Sequence, residues 1–151
     1  MAIVFESPTQ EHLEKLSVNL RDVDKVELTH SHGGDILLTL QESVESSEVA
    51  LVAVKDGEPI TIFGISRVPE GGVIWMVGTD EMYAHKRLIY LIGKTWSMSM
   101  LPHYGYLFNY VHLENRVTLR WLERIGYERG EIVENYGEGT EPFIRMSIKQ
   151  D

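Results

Sequence analysis

The segment of residues 108–131, FNYVHLENRVTLRWLERIGYERGE, constrains the fold more than any other part of the chain. Its pattern predicts a strand, a one-turn break, an amphipathic helix over residues 115–125, a glycine stop at Gly126 and a new strand. A helix flanked by two strands packs against the sheet that contains them. The helix face predicted to meet that sheet consists of Val117, Thr118, Trp121, Leu122 and Ile125.

Upstream of this segment, the sequence predicts one short strand and a group of helices, and its pattern changes at Val49. Residues 3–6 are an apolar run, and helical spacing with capping residues follows through residues 9–46. After that, VALVAV and ITIFGIS flank KDGEP, whose Asp-Gly pair supplies the positive φ angles that a tight hairpin turn needs. The run GGVIWMVG is apolar on both faces, which predicts a central strand.

A longer helix and two final strands complete the order of elements. The helix is expected to cover about 16 residues, from near Thr79 to just before Pro102, and the final strands lie at YERGEIVEN and FIRMSIK. This order predicts an α/β (α+β) chain in a single domain over residues 1–151, with a mixed, mostly antiparallel sheet flanked by helices. The apolar face predicted for the longer helix is Leu88, Leu91, Ile92, Thr95, Trp96 and Ser99.

Features of the composition exclude several classes of function. The 14 Lys and Arg against 23 Asp and Glu give a net charge of −9, which argues against a nucleic-acid partner. The absence of cysteine excludes disulfides, thiolate metal sites and a cysteine nucleophile. No apolar run approaches the ~18 residues of a membrane span. His30 and His32 flank a serine without the spacing of a metal site, so no metal ligands are predicted.

The pattern around the C-terminal helix resembles that of a known superfamily. Asn115 is followed by the small Thr118, and then by Gly126 and Tyr127, and this spacing resembles the GNAT superfamily of acyl-CoA-dependent N-acyltransferases. The order of elements extends the resemblance over most of the chain. It implies a GNAT-like fold whose sheet splays between the strand near Val73 and the strand near Leu107. It also implies acetyl-CoA as the cofactor of an active enzyme, which would acetylate a primary amine by direct attack.

A narrower resemblance points to a different function. The segments W-x-x-G-T-D, at residues 75–80, and N-Y-V-x-x-x-N, at residues 109–115, resemble small GNAT-like proteins that tailed phages encode among virion and morphogenesis genes. This implies a degenerate or non-catalytic protein that acts in virion assembly or binds a virion or host protein. Its location would be the cytoplasm of an infected host or the virion. Enzyme and non-catalytic protein both remain open from the sequence.

The loop GTDEMYAHKRL is where the superfamily resemblance places the pyrophosphate of acyl-CoA. It lacks the glycine-rich arch whose backbone N–H groups hold phosphates. Asp80 and Glu81 stand where the phosphates would arrive, and like charges repel. The alternative is that this segment only caps a helix and that its basic residues are solvated. The cofactor-binding residues implied by the resemblance are Gly78, Thr79, Lys86, Arg87 and Asn115.

Catalytic residues are only weakly indicated. The position where many GNAT enzymes carry a tyrosine general acid is Leu122, which cannot donate a proton; Tyr110 and Tyr127 are possible replacements but are expected to pack. An amine nucleophile must lose a proton, so a general base is expected. Asn109 lies mid-strand with apolar neighbours and therefore requires hydrogen-bond partners. The candidates for the general base are Glu81, His85 and His112.

Overall fold

A computed structural model of the chain describes residues 2–151, which form one mixed sheet with helices on both faces. Among these residues, no helix is long and apolar enough to cross a membrane. The elements in chain order are β1 (Ile3–Glu6), α1 (Gln10–Asn19), α2 (Asp22–His32), α3 (Ile36–Ser46), β2 (Val49–Lys55), β3 (Glu58–Val68), β4 (Gly71–Gly78), α4 (Glu81–Ala84), α5 (Lys86–Tyr104), β5 (Tyr106–His112), α6 (Arg116–Ile125), β6 (Glu128–Val133) and β7 (Phe143–Lys149).

The sheet confirms the predicted architecture. Its strand order is β1-β2-β3-β4-β5-β7-β6, and every neighbouring pair is antiparallel except β4 with β5. The parallel pair is short, since it comprises only Gly72 with Leu107 and Val73 with Phe108. Beyond these residues the two strands separate, as the resemblance implied. The resulting gap in the sheet is the feature on which the functional site depends.

Two layers of helices cover the sheet. Leucines of α1 and α3 pack on Val52, Ile62 and Val77 on one face. Helices α5 and α6 pack on the other face, where the core includes Ile65 and Leu107. Because side chains alternate along a strand, consecutive residues of β4 contribute to opposite layers. The gap beside β4 is therefore bordered by residues of both layers.

The ends of α6 follow the local signals of its sequence. The side chain of Asn115 accepts a hydrogen bond from the Thr118 N–H at 3.3 Å and so caps the first turn. Gly126 ends the helix with φ of +129°, a value that favours glycine, which confirms its predicted role. The buried face differs in detail, because Leu119 is buried at 1% exposure whereas Val117 is 41% exposed.

The long helix predicted after β4 is two helices. His85 has φ −126° and ψ 37°, which separates the short α4 from α5, and α5 continues through Pro102 to Tyr104. The buried residues of α5 are Ile89, Gly93 and Ser97 rather than the predicted stripe. The physical reason is a close helix contact, because a Cβ atom at Gly93 would overlap the ring of Trp121. Small residues are buried here because α6 approaches closely.

Candidate active site

Asn109 marks the beginning of the gap between β4 and β5. Its Nδ2 donates to the Ile74 carbonyl at 2.5 Å, and its Oδ1 accepts from the Tyr110 N–H at 2.7 Å. The predicted partners of this mid-strand amide are therefore present on both strands. Asn109 bridges the strands just beyond their last paired residues and holds the gap at a defined width.

The far end of the gap is closed by α2. The Gly78 N–H donates to Asp24 Oδ2 at 2.9 Å, and the Gly78 carbonyl accepts from the Arg21 N–H at 2.8 Å. Backbone groups of alternate residues on a strand point to the same edge. Met76 lies between Ile74 and Gly78, so its N–H and carbonyl point into the gap. The N–H of Met76 is thus a donor available to a carbonyl oxygen bound there.

Two cavities meet at the gap. The inner cavity, of about 60 Å³, is mostly apolar and extends from Glu27 to Trp96 and Tyr127. The outer cavity, of about 340 Å³, lies between the beginning of α5 and α6. Met76 and Trp121 line both. The charged and aromatic residues of the outer cavity are Arg21, Tyr83, Lys86, Tyr90, Arg120, Trp121 and Arg124.

Glu27 of α2 is the carboxylic acid that lines the inner cavity. Its Oε2 accepts a hydrogen bond from Asn115 Nδ2 at 2.6 Å. Burial raises the pKa of Glu27 to about 7, the hydrogen bond from Asn115 opposes this rise, and the charge of Asp24 adds to it. At neutral pH the carboxyl is therefore close to half ionised. A carboxylate with this pKa is suited to accept a proton from an amine.

Asn115 connects this carboxyl to α6. The residue is 3% exposed, and its two side-chain ends have separate partners: Oδ1 caps α6 and Nδ2 donates to Glu27. A cofactor-binding role was predicted for Asn115 from the resemblance. Its amide nitrogen donates to Glu27, so Asn115 positions this carboxylate with respect to the end of β5, and the cofactor-binding role stays a prediction.

A buried ion pair fixes α2 against the end of β4. Arg21 Nε lies 2.9 Å from Asp24 Oδ2, and Arg21 Nη2 lies 3.0 Å from Asp24 Oδ1. The guanidinium also lies 5.5 Å from the centre of the Tyr83 ring, at the wall of the outer cavity. Two parallel hydrogen bonds give this pair a defined geometry. The position of Glu27, one helical turn further along α2, is defined with it.

The loop after β4 uses its own backbone donors. The N–H groups of Met82, Tyr83 and His85 donate to carbonyls within the loop at 3.0 to 3.1 Å. The Glu81 N–H donates to Thr79 Oγ1 at 3.3 Å, and the Gly78 N–H is bound by Asp24. These five N–H groups are engaged within the protein and are not available to a phosphate, whereas the first-turn N–H groups of α5 are not among them.

The acidic residues of this loop do not face the outer cavity. Glu81 lies 3.7 Å from Lys55 Nζ and 3.5 Å from His85 Nε2, and neither Asp80 nor Glu81 lines the cavity. Both acids thus lie outside the lining of the outer cavity, and their repulsion of a phosphate stays a prediction. Of the predicted basic residues, Lys86 lines the cavity whereas Arg87 does not. Glu81 and His85 both lie beside Lys55, and neither lines the inner or the outer cavity.

His112 is buried at the end of β5 and has two partners. Its Nδ1 accepts from the Glu114 N–H at 3.2 Å, and its Nε2 lies 3.3 Å from Glu141 Oε1. An accepting Nδ1 places the proton on Nε2, which then donates to Glu141. His30, His112 and Glu141 form a cluster with ligand atoms within 4.8 Å. In this tautomer both ring nitrogens of His112 have a partner within the protein, and its role as a base stays a prediction.

Tyr110 and Tyr127, the two predicted replacements for the general acid, are both engaged in contacts within the protein. Leu122 is buried at 2% exposure and lines the inner cavity. The Tyr127 hydroxyl lies 2.9 Å from Ser97 Oγ, and burial raises the pKa of Tyr127 to about 12. Tyr110 packs against the ring of Tyr136, with centroids 4.9 Å apart. These contacts agree with the packing roles expected of both tyrosines.

Sequence reasoning missed Glu27 and Asp24. An acid in a short helix of mixed composition is usually solvated, and α2 has no clear apolar face. One signal was present: Asp24, Glu27 and Ser31 lie three and four residues apart and so share one side of the helix. Asp24 and Ser31 are buried and Glu27 is half-buried. One side of α2 thus carries polar residues where a buried helix face usually carries apolar ones, and this was the available indication of a functional face.

No protein-family model matches the chain, and no curated protein matches it. Solved structures do. An acetyltransferase of the GNAT family from Streptococcus pneumoniae is 13% identical with a TM-score of 0.66, over 99% of this chain and 100% of that one. The ribosomal-protein-S18-alanine N-acetyltransferase from Escherichia coli is 14% identical with a TM-score of 0.69, over 98% and 94%. Aminoglycoside acetyltransferase AAC(6')-Ib, solved with coenzyme A, is 17% identical with a TM-score of 0.67, over 99% and 95%.

Proposed function

We propose that this chain, which has the fold of the GNAT acetyltransferases, transfers an acyl group from a thioester of the acetyl-CoA type to an amine. One observation carries the proposal. The carboxyl of Glu27, with a pKa raised to about 7, lies in the same cavity as Met76, whose N–H points into the gap. A proton acceptor and a carbonyl-binding donor at one opening are the two groups that amide formation from a thioester requires.

In this mechanism, the ionised Glu27 accepts a proton from the amine, directly or through a water molecule. The amine nitrogen forms a bond to the thioester carbon, and the carbon–sulfur bond breaks. The negative charge that develops on the carbonyl oxygen is stabilised by the Met76 N–H. The thiol leaves with a proton returned from Glu27 or from solvent, since Leu122 has none to donate. Asn115 and Asp24 act only by positioning the groups that react.

The test of this function is acetyl transfer to a panel of primary amines. Acetyl-CoA is supplied at millimolar concentration, because the closed loop after β4 predicts weak binding of its phosphates. The Glu27→Gln variant keeps the hydrogen-bonding shape but removes the base, and we expect it to lower the rate by roughly 10²-fold or more. Glu45→Gln, at an exposed position of α3, is the matched control. A Glu27→Gln variant as active as the wild type would refute the role of Glu27.

A second function is favoured by the closed loop and by Leu122. Both features, together with the resemblance of residues 75–80 and 109–115 to phage proteins, support a non-catalytic protein of virion assembly that binds a virion or host protein. Absence of transfer from acetyl-CoA and from acetyl-pantetheine to every amine tested would favour this function. The experiment with acetyl-pantetheine distinguishes a protein that cannot catalyse the transfer from one that can catalyse it but binds CoA weakly.

A further inference from the structure

Helices α5 and α6 present a basic face in an otherwise acidic protein. Together they carry six of the 14 Lys and Arg of the chain and one of its 23 acids. That acid, Glu123, is bound by Arg129 at 2.9 Å. The basic residues of this α5–α6 face, all exposed, are Lys86, Arg87, Lys94, Arg116, Arg120 and Arg124.

The cations of the α5–α6 face have no acidic partners. Within residues 2–151, none of the six forms an ion pair, whereas cations elsewhere, such as Lys15, Arg67 and Arg145, do. The three arginines of α6 are spaced four residues apart, about 6 Å along the helix axis. Unpaired charges of one sign on neighbouring helices repel each other, so an anionic partner that covers them would be stabilising.

The face is larger than the cavity that it borders. Lys86, Arg120 and Arg124 line the outer cavity, but the other three cations lie outside its lining. Most backbone donors of the loop after β4 are engaged within the protein, so anion binding inside the cavity depends largely on Lys86, Arg120 and Arg124. A partner larger than the phosphates of free CoA would contact the cations outside the cavity as well.

We propose that the acyl donor is delivered as a phosphopantetheine thioester on an acidic carrier protein, which docks on the α5–α6 face. This inference rests on the proposed acyl transfer and names its donor. The carrier's acidic surface contacts the arginines of α6, its single phosphate lies near Lys86, and its pantetheine arm enters the gap at Met76. The amine displaces the carrier's thiol: the carbon–nitrogen bond forms, the carbon–sulfur bond breaks, and Glu27 receives the proton of the amine.

The test compares binding and transfer for three donors. A bacterial acyl carrier protein, acetylated on its phosphopantetheine, is titrated calorimetrically into the protein at low salt, and acetyl-CoA is titrated in parallel. We expect the carrier to bind at least about tenfold more tightly than acetyl-CoA and to lose affinity as salt rises. Acetyl-pantetheine, which lacks phosphate and carrier, reports transfer independently of the basic face.

Three charge reversals locate the contact. Arg116→Glu, outside the cavity, should weaken carrier binding about tenfold and leave acetyl-CoA binding unchanged. Arg120→Glu, inside the cavity, should weaken both. Lys149→Glu, an exposed cation at the end of β7, is the matched control and should change neither. If Lys149→Glu weakens carrier binding as much as Arg116→Glu does, net charge alone explains the effect and the proposal is overturned.

The failures of the two proposals differ. Transfer from acetyl-pantetheine without carrier binding would contradict the docking proposal and leave acyl transfer standing. No transfer from any donor would contradict both. Tighter binding of a duplex oligonucleotide than of the carrier would identify the face as a nucleic-acid surface and would also overturn the proposal.

Discussion

The two sides of the gap between β4 and β5 are built in different ways. On the α2 side, charged groups are buried and fixed: Glu27 is bound by Asn115 at 2.6 Å, and Arg21 and Asp24 form a two-fold hydrogen-bonded pair. On the side of α5 and α6, the basic groups are exposed and have no acidic partner in the described part of the chain. Under the proposed function, this difference means that the fold holds the proton acceptor in place, while recognition of the donor depends on surface charge.

The largest expected effect is on stability and tests the rigidity of the α2 side. Asp24→Ala removes one partner of a buried ion pair and leaves Arg21 uncompensated, which should cost about 3–5 kcal/mol. Chemical denaturation measures the change, and Asp22→Ala, at an exposed acid in the same turn, is the control. A cost below ~1 kcal/mol would show that the pair is not part of the stable framework.

A smaller effect tests the contact beneath the basic face. Gly93→Val forces side-chain atoms into Trp121 and Ile125, so overpacking should cost roughly 1–3 kcal/mol. Thr95→Val, two residues away at an exposed position of α5, should stay within about 0.5 kcal/mol. If both variants unfold at the same denaturant concentration as the wild type, α5 and α6 are less closely packed than the structure indicates.

The burial of Glu27 predicts a pH-dependent stability. Its folded pKa of about 7 lies above the ordinary 4.5, so its protonated form favours the native state. This contribution is complete below pH 4.5 and is lost as pH rises through 7. The melting temperature of Glu27→Gln minus that of the wild type should therefore be larger at pH 8 than at pH 5. A melting difference that is the same at both pH values would mean that the carboxyl is ordinary.

The smallest expected effect concerns the exposed side. Arg120→Ala removes a cation that has no acidic partner, so the free energy of unfolding should change by less than about 0.5 kcal/mol. Anion binding in the outer cavity should weaken instead. A large loss of stability from Arg120→Ala would show that the two sides of the gap do not differ as described.

The sequence predicted elements whose signals are local. Asn115 and Gly126 define α6 through their own backbone preferences, the element order predicted the sheet, and the superfamily resemblance implied its splay. The sequence did not predict the buried face of α5, because Gly93 is buried through a contact with Trp121, which lies on another helix. Hydrophobic spacing within one helix carries no record of how closely its neighbour approaches.

The candidate site was only partly predictable for the same reason. The absence of a glycine arch was evident from the loop sequence, but the direction of Glu81, toward Lys55, was not. Glu27 was missed because its burial depends on the separation of β4 and β5, which are distant from α2 in the chain. The pKa of such a group is determined by its tertiary surroundings rather than by its neighbours in sequence.

The measurement that tests the account most directly is the pH dependence of kcat/KM for transfer from acetyl-pantetheine. This donor bypasses the basic face, and kcat/KM reports the ionisation of the free enzyme. The account predicts that the wild-type rate rises with pH up to about 7, the pKa of Glu27, and that Glu27→Gln loses this inflection together with most of its rate. An inflection near pH 7 that persists unchanged in Glu27→Gln would contradict the central claim.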